Sequence, residues 1–261
     1  MAGVLHPQHP PAVVGPQVHA GAPGRLRQLL GQRRTVVVAL LALVPVAIAL
    51  LFRLSAPADA DPERFTARGL LGGIVTTTIL PLVTLVFATG AFGQDAEDGT
   101  LVYLLATPVP RSAIVLARLV VAWLAAAALL LPSAALAGAL ALLGGDPGIV
   151  VGFAVAVVAG AFVYTAAFTW LSIATSRALV AGLLYVFLWE GALSGLFGGI
   201  RFLSIRQYTA GIAGAFFDLP PGVYQPRLDP LPAAFLAAAV AVGMAILAVR
   251  RLERWEIGES S

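Results

Sequence analysis

The sequence predicts an all-α integral membrane protein with six transmembrane helices. Of its 261 residues, 59% are hydrophobic and only 11% are charged, and the mean hydropathy is +0.93. These values lie far from those of soluble domains. A bilayer core about 30 Å thick is crossed by roughly 20 apolar residues in an α-helix, and the chain contains several runs of that length.

The predicted spans use most of the chain and leave no soluble domain. They lie near residues 35–54, 70–92, 114–143, 149–174, 178–199 and 231–249. They are rich in Ala, Gly, Ser and Thr, which allow helices to pack closely in lipid. Pro45, Pro81 and Pro132 fall inside the first three spans, where each favours a kink that fits the bundle together; a hinge for transport is the alternative.

Two terminal tails and one surface helix flank the spans. Residues 1–24 hold several prolines and three irregularly spaced histidines (His6, His9 and His19), which predicts a disordered cytoplasmic tail rather than a metal site. Leucines and arginines then alternate in a helical pattern just before the first span, which predicts a helix on the inner membrane surface. The membrane domain therefore covers residues 25–254, and residues 255–261 form a second cytoplasmic tail.

The charged residues predict an orientation rather than a nucleic-acid partner. All sixteen basic residues are arginines, and they are scattered over the loops instead of gathered on one face. With both termini inside, ten arginines fall on the inner side and six on the outer side, which favours cytoplasmic termini and a plasma (inner) membrane location. The six predicted outer arginines are Arg53, Arg64, Arg68, Arg201, Arg206 and Arg227.

The sequence argues against an enzyme. It has no GxxxxGK[ST] loop to cradle a nucleotide phosphate, it has no cysteine, and its histidines lie only in the tail. We predict no catalytic, cofactor-binding or metal-binding residue in this chain. Glu190 is the only acidic residue placed deep in a span, which makes it a candidate for the substrate pathway or a proton relay. The alternative is a structural role, in which the side chain is bonded to a neighbouring helix or kept protonated.

A longer outer loop separates the last two predicted spans. Ile205, Tyr208, Ile212 and Phe216 share one helical face there, while Gln207 would be awkward in hydrocarbon. This pattern predicts a short helix resting on or dipping into the outer leaflet.

A short acidic and then amphipathic segment, GQDAEDGTLVYLLATPVPR at residues 93–111, interrupts the apolar runs on the cytoplasmic side. Asp98 is a plausible N-cap for a short helix from Thr100 to Ala106, whose N-terminus would suit the neighbouring acidic charge. The prolines at 108 and 110 would end that helix. This pattern predicts a short helix on the cytoplasmic face that another protein can contact. The alternative is a solvated loop whose leucines rest on the lipid headgroups.

The same segment resembles the signature of permease subunits of type-2, exporter-like ABC transporters. Members typically carry an acidic residue before Gly-Thr-Leu, then a Leu-Leu pair, then a Ser/Thr-Pro-Val-x-Arg element. Here these are Glu97-Asp98-Gly99-Thr100-Leu101, Leu104-Leu105 and Thr107-Pro108-Val109-Pro110-Arg111. SIRQYTAGI in the outer loop is also similar to this group.

The resemblance implies a transport function with several partners. A separately encoded ABC ATPase dimer would bind ATP and Mg, a second permease subunit would complete a homodimer or heterodimer, and membrane lipids would surround the spans. The cytoplasmic segment would be a coupling helix, with acidic and arginine side chains as charge contacts, glycine at the helix entry and leucines as the packing face. The residues implied are Glu97, Asp98, Gly99, Thr100, Leu101, Leu104, Leu105, Pro108 and Arg111. Substrate export is implied in the same way, and a non-transporting membrane scaffold that anchors an ATPase remains the alternative.

Overall fold

The computed structural model describes residues 33–57, 59–97, 110–193, 203–220 and 222–254. The predicted disordered tail, the predicted surface helix, the predicted coupling helix and the C-terminal tail lie outside these residues. The chain divides into two compact units, residues 1–36 and 37–261. Of the first unit only the opening turn of a helix is described, and the second unit carries everything discussed below.

All regular secondary structure in the described residues is helical. The α-helices are α1 Arg33–Ser55, α2 Pro62–Arg64, α3 Leu80–Glu97, α4 Arg111–Leu142, α5 Pro147–Ala174, α6 Ala178–Leu184, α7 Ile205–Ala213 and α8 Pro230–Arg254, and the π-helical segments are π1 Phe65–Ile79 and π2 Tyr185–Leu193. Segments α2, π1 and α3 follow one another without a break, as do α6 and π2.

Within the described residues, five helical stretches are long and apolar enough to cross a membrane. They are Val36–Ser55, Pro62–Ala91, Arg111–Leu142, Pro147–Ala174 and Pro230–Glu253. Each coincides with a predicted span. The remaining predicted span, 178–199, is described only as far as Leu193, where α6 and π2 form a shorter apolar stretch.

Three helices begin at the same kind of dipeptide, Asp-Pro. Asp61 caps α2 by accepting a hydrogen bond from the backbone N–H of Arg64 at 3.0 Å, and Asp146 caps α5 by accepting one from that of Gly148 at 2.8 Å. Asp229-Pro230 stands at the start of α8, where the backbone oxygen of Asp229 accepts from the N–H of Ala233 at 3.0 Å. Aspartate satisfies free N–H groups at a helix start, and proline fits the first helical position because its missing N–H has no partner there. These boundaries therefore follow from local chemistry.

Helix α5 is the centre of the bundle. It packs against α3, α4, α7 and α8, and 61% of its most apolar stretch is buried, compared with 22% for α1. Small residues allow this close packing. Gly152 and Gly160 of α5, for example, lie directly against α7, with no room for a Cβ atom. Apolar side chains on α1 and α8 remain exposed on the outside of the bundle, where a bilayer would cover them.

The short helix α7 is buried within the bundle rather than resting on its surface. Ile205 and Tyr208, which the sequence placed on a face toward the outer leaflet, are buried inside the protein, and Gln207, Thr209 and Gly211 are buried as well. The helix packs against α5, α8 and π1. It therefore fills space between longer helices and contacts them on more than one face.

Candidate functional site

The predicted coupling segment joins the ends of two long helices. Helix α3 extends to Glu97, beyond the predicted end of its span at residue 92, and α4 begins at Arg111. The intervening predicted site residues Asp98, Gly99, Thr100, Leu101, Leu104, Leu105 and Pro108 lie outside the described residues. The structure thus fixes where the segment leaves and re-enters the bundle.

Two arginines hold these helix ends to their neighbours. Nη1 of Arg118 donates a hydrogen bond to the backbone oxygen of Ala91 at 2.8 Å, which ties α4 to α3. Nη1 of Arg111 donates to the backbone oxygen of Leu252 at 3.3 Å, which ties the start of α4 to the end of α8. Arg111 was predicted as a charge contact for an ATPase; the structure shows it bonded within the chain, which leaves that prediction open.

A small apolar cluster lies beside these two bonds. Val115 of α4, Ile173 of α5, and Ala248 and Leu252 of α8 are buried together, with Ala91 of α3 packed against them. We call these five residues the helix-end cluster. It joins four helices at the end of the bundle where α3 ends and α4 begins.

Glu190 is buried in π2, with 1% of its surface exposed. Three donors point at its carboxylate: the Tyr185 hydroxyl at 3.1 Å from Oε1, the Ser204 hydroxyl at 2.5 Å from Oε2, and the Ile205 backbone N–H at 2.8 Å from Oε1. Ser204 is the N-cap residue of α7, but its own side chain does not cap the helix. Glu190 takes over that role, since a carboxylate is favourable at the positive end of a helix.

Aromatic side chains enclose this carboxylate. The ring of Phe168 stacks on Tyr164 at 5.8 Å and meets Tyr185 edge-on at 6.2 Å. The Tyr164 hydroxyl is buried near enough to Glu190 to interact with it electrostatically, but it makes no hydrogen bond of normal geometry within the described residues. These contacts match the structural alternative for Glu190, a carboxylate bonded to a neighbouring helix. Its role in a substrate pathway stays a prediction.

Comparison with known families decides what kind of protein this is. Residues 32–200, well over half of the chain, match the family described as ABC-2 family transporter protein. The chain belongs to this ABC-2 family. The resemblance inferred from the 97–111 segment is therefore confirmed at the level of the family. No curated protein matches the chain.

Membership of the ABC-2 family gives the chain a defined place in a transporter. ABC-2 permeases are the membrane component, are not themselves catalytic, and typically work with an ABC ATPase. The apolar helices and the family together identify a multi-pass membrane protein. The match covers α1 to π2 and the predicted coupling segment, while α7 and α8 lie beyond it.

The sequence of this ABC-2 permease did not reveal the partners of its site residues. Arg111 and Arg118 donate to backbone oxygens. Because every residue has a backbone oxygen, no sequence pattern predicts which one an arginine will bind. Tyr185 is five residues before Glu190, a spacing that a π-helix but not an α-helix brings together. Ser204 carried a usable signal, since serine before a helical run is a common N-cap.

Proposed function

We propose that this ABC-2 permease forms the substrate pathway of an exporter, driven by a separately encoded ABC ATPase dimer. Two permease subunits, identical or related, would complete the transporter. The observation that carries the proposal is the joining of α3, α4, α5 and α8 by the helix-end cluster, at the bundle end where α3 stops and α4 starts. A partner that moves this segment would move the bundle with it.

The proposed coupling follows from the bonds at the helix ends. Closure of the ATPase subunits on ATP and Mg would press on the segment between Glu97 and Arg111. Arg118 links α4 to α3, and Arg111 links α4 to α8. Packed helices transmit displacement as units rather than deforming continuously, so pressure at the segment would tilt several helices together.

The proposed orientation places the segment and both termini in the cytoplasm, with the chain in the inner (plasma) membrane. An ATPase needs cytoplasmic ATP, so the surface it presses on must face that side. The excess of arginine in the predicted inner segments favours the same orientation. The bundle end that carries α7 and the 222–229 loop would then face outward.

Purification of the tagged protein from its native cells in mild detergent tests the proposal. We expect an ABC ATPase subunit to be recovered in equal amount. A stable complex whose ATP hydrolysis responds to no candidate solute would support the scaffold alternative instead. Recovery of the chain without any ATPase, even after chemical cross-linking in the membrane, would contradict both the permease function and the scaffold.

Reversing the charge of Glu97 should weaken ATPase docking. Glu97 ends α3, and a carboxylate at a helix C-terminus adds to the negative end of the helix dipole, so a cationic partner would stabilise it. We expect Glu97→Arg to lower the affinity roughly tenfold, because attraction is replaced by repulsion at a solvated contact. Titration of purified ATPase against permease in nanodiscs measures this.

Asp59→Arg is the matched control for Glu97→Arg. Asp59 is an exposed carboxylate in the loop between α1 and α2, far from the 97–111 segment, and its reversal changes net charge by the same amount. Affinity should stay at the wild-type value in this variant. Equal affinity for Glu97→Arg and Asp59→Arg would show that Glu97 takes no part in docking.

A further inference from the structure

A polar cavity of about 360 Å³ lies at the end of the bundle that carries α7. Its wall includes Arg68 of π1, Arg206 of α7 and Arg227 of the loop before α8, together with Gln207 and Tyr224. Three separate elements thus supply one guanidinium each. No carboxylate contributes to the part of this wall that is described.

The three arginines gather positive charge around the cavity. Within the described ranges, no carboxylate forms an ion pair with Arg68, Arg206 or Arg227. Arg68 makes one long hydrogen bond, from Nη1 to the backbone oxygen of Gly222 at 3.4 Å, and its other donors remain available. Arg206 is the second residue of α7. The Glu190 carboxylate caps the N–H of Ile205 beside it, but within the described residues it forms no ion pair with the Arg206 guanidinium.

The wall opposite α7 is held in place. The Tyr224 hydroxyl donates to the backbone oxygen of Ala210 at 2.9 Å, and its ring contacts Phe153 and Phe217. Burial raises the pKa of Tyr224, and the nearby charge of Arg206 opposes this shift only in part, so the phenol keeps its proton and remains a donor. Gly222 has a φ of +103°, which lets the loop turn back toward Arg68. The loop therefore has a defined position against α7.

We propose that this cavity binds a phosphate-type anionic group. Guanidinium groups match phosphate oxygens with paired, charge-assisted hydrogen bonds, and several unpaired cations around one polar cavity favour an anion over a neutral solute. The volume lies in the range of small-molecule sites, about 300–1,000 Å³, which leaves room for a phosphate with part of its parent molecule. Either a lipid headgroup or a soluble phosphate ester would supply that chemistry.

The site also explains why so many arginines fall on the predicted outer side of the membrane. Six arginines were predicted on the outer side, against the usual excess inside, and Arg68, Arg206 and Arg227 are three of them. Binding depends on this chain alone and needs neither ATPase nor transport, so its test stands apart from that of the proposed function.

The test measures two probes on the full chain in phosphatidylcholine nanodiscs. Glycerol 3-phosphate is titrated by calorimetry at constant ionic strength, because exposed charges are screened by salt. Phosphatidylglycerol is added to the nanodisc lipid in a second arm, and the lipid retained on the protein is counted by native mass spectrometry. We expect Arg206→Gln with Arg227→Gln to weaken the bound probe by at least about tenfold.

Arg64→Gln is the matched control. Arg64 is an exposed arginine in α2, near the same bundle end, and it does not line the cavity. Arg227→Gln alone changes only an exposed loop residue, so a loss of binding there cannot be attributed to misfolding.

Saturable binding of glycerol 3-phosphate, lost in the double variant, would support a soluble phosphate ligand. Retention of phosphatidylglycerol alone would support a lipid headgroup. If wild type, Arg64→Gln and the double variant bind both probes equally, the proposal is overturned.

Discussion

Glu190→Ala should destabilise the protein by at least about 3 kcal/mol, because it leaves several hydrogen-bond donors without an acceptor. The substitution leaves three donors without their acceptor: the hydroxyls of Tyr185 and Ser204 and the N–H of Ile205. Ser204 and Ile205 are buried and Tyr185 is partly buried, and an unsatisfied buried polar group costs about 1–3 kcal/mol. The N-terminus of α7 would also lose its only described side-chain cap.

Unfolding in detergent micelles, followed by tryptophan fluorescence, measures this effect. Trp189 precedes Glu190, and its indole N–H donates to the backbone oxygen of Leu203 at 3.4 Å, so the fluorophore reports on the contact between π2 and the start of α7. Because unfolding of membrane proteins is often irreversible, midpoints are compared at one heating rate. In a background with Trp123→Phe, Trp170→Phe and Trp255→Phe, which replaces the other three tryptophans, we expect the Trp189 signal to change before the helical circular dichroism of the bundle.

Glu190→Gln is the matched control. The amide keeps one oxygen as an acceptor for Ile205, and the Ser204 hydroxyl can turn to accept from the new NH2 group, since hydroxyls both donate and accept. We expect a loss of only about 1–2 kcal/mol. A stability for Glu190→Ala equal to that of wild type would show that the carboxylate does not hold α7.

The same pair of variants separates the two interpretations of Glu190. A stably folded Glu190→Gln protein with an unchanged transport rate would leave Glu190 as a structural residue. Loss of transport in that variant, with stability preserved, would assign the carboxylate to the substrate pathway or to a proton relay. The comparison needs a transported solute, which the ATPase complex described above would help to find.

Hydropathy predicted the long helices because crossing a bilayer requires length and apolar composition, and both can be measured in a sequence. The helix that contains the second predicted span, 70–92, is longer than that span and begins at Pro62. Glu63, Arg64 and Arg68 lower the local hydropathy, yet they continue the helix. The Asp-Pro signal at Asp61 was present, and the same dipeptide marks the starts of α5 and α8.

The site was less predictable than the helices. A short motif between Glu97 and Arg111 was enough to indicate the family, since it is local in sequence. The contacts that hold the motif's flanks are not local: Arg111 reaches Leu252, 141 positions away. Helix α7 shows a similar limit. Its apolar face predicted one buried side, but the burial of Gln207 and Thr209 depends on helices packed from other directions.

Gly160→Leu should strongly destabilise the contact between α5 and α7. A Cβ atom at position 160 of α5 would collide with the Cγ2 methyl of Thr209 in α7, and it would lie 2.9 Å from Cδ2 of Leu80 at the start of α3. Thr209 cannot easily move, because it is β-branched and its hydroxyl bonds the backbone oxygen of Arg206 at 2.8 Å. We expect a loss of about 3 kcal/mol or a failure to fold, since overpacking forces backbone shifts.

Gly243→Leu is the matched control, because Gly243 also lies inside a long helix, α8, but no heavy atom lies within 4 Å of a Cβ built there. Its stability should stay within about 0.5 kcal/mol of wild type, as expected for a site without packed neighbours. Expression level, elution volume and thermal midpoint in detergent compare the two variants directly.

A double substitution identifies the contact responsible. Gly160→Ala adds only the colliding atom, and Thr209→Ser removes the Cγ2 methyl while keeping the hydroxyl. If the collision with Thr209 determines the loss, Thr209→Ser should restore most of the stability lost in Gly160→Ala, which appears as a coupling energy of about 1 kcal/mol or more between neighbouring sites. If the stability changes of the two substitutions simply add, the strain lies at Leu80 instead. The contact of α5 with α3, rather than with α7, would then set the limit on side-chain size at position 160.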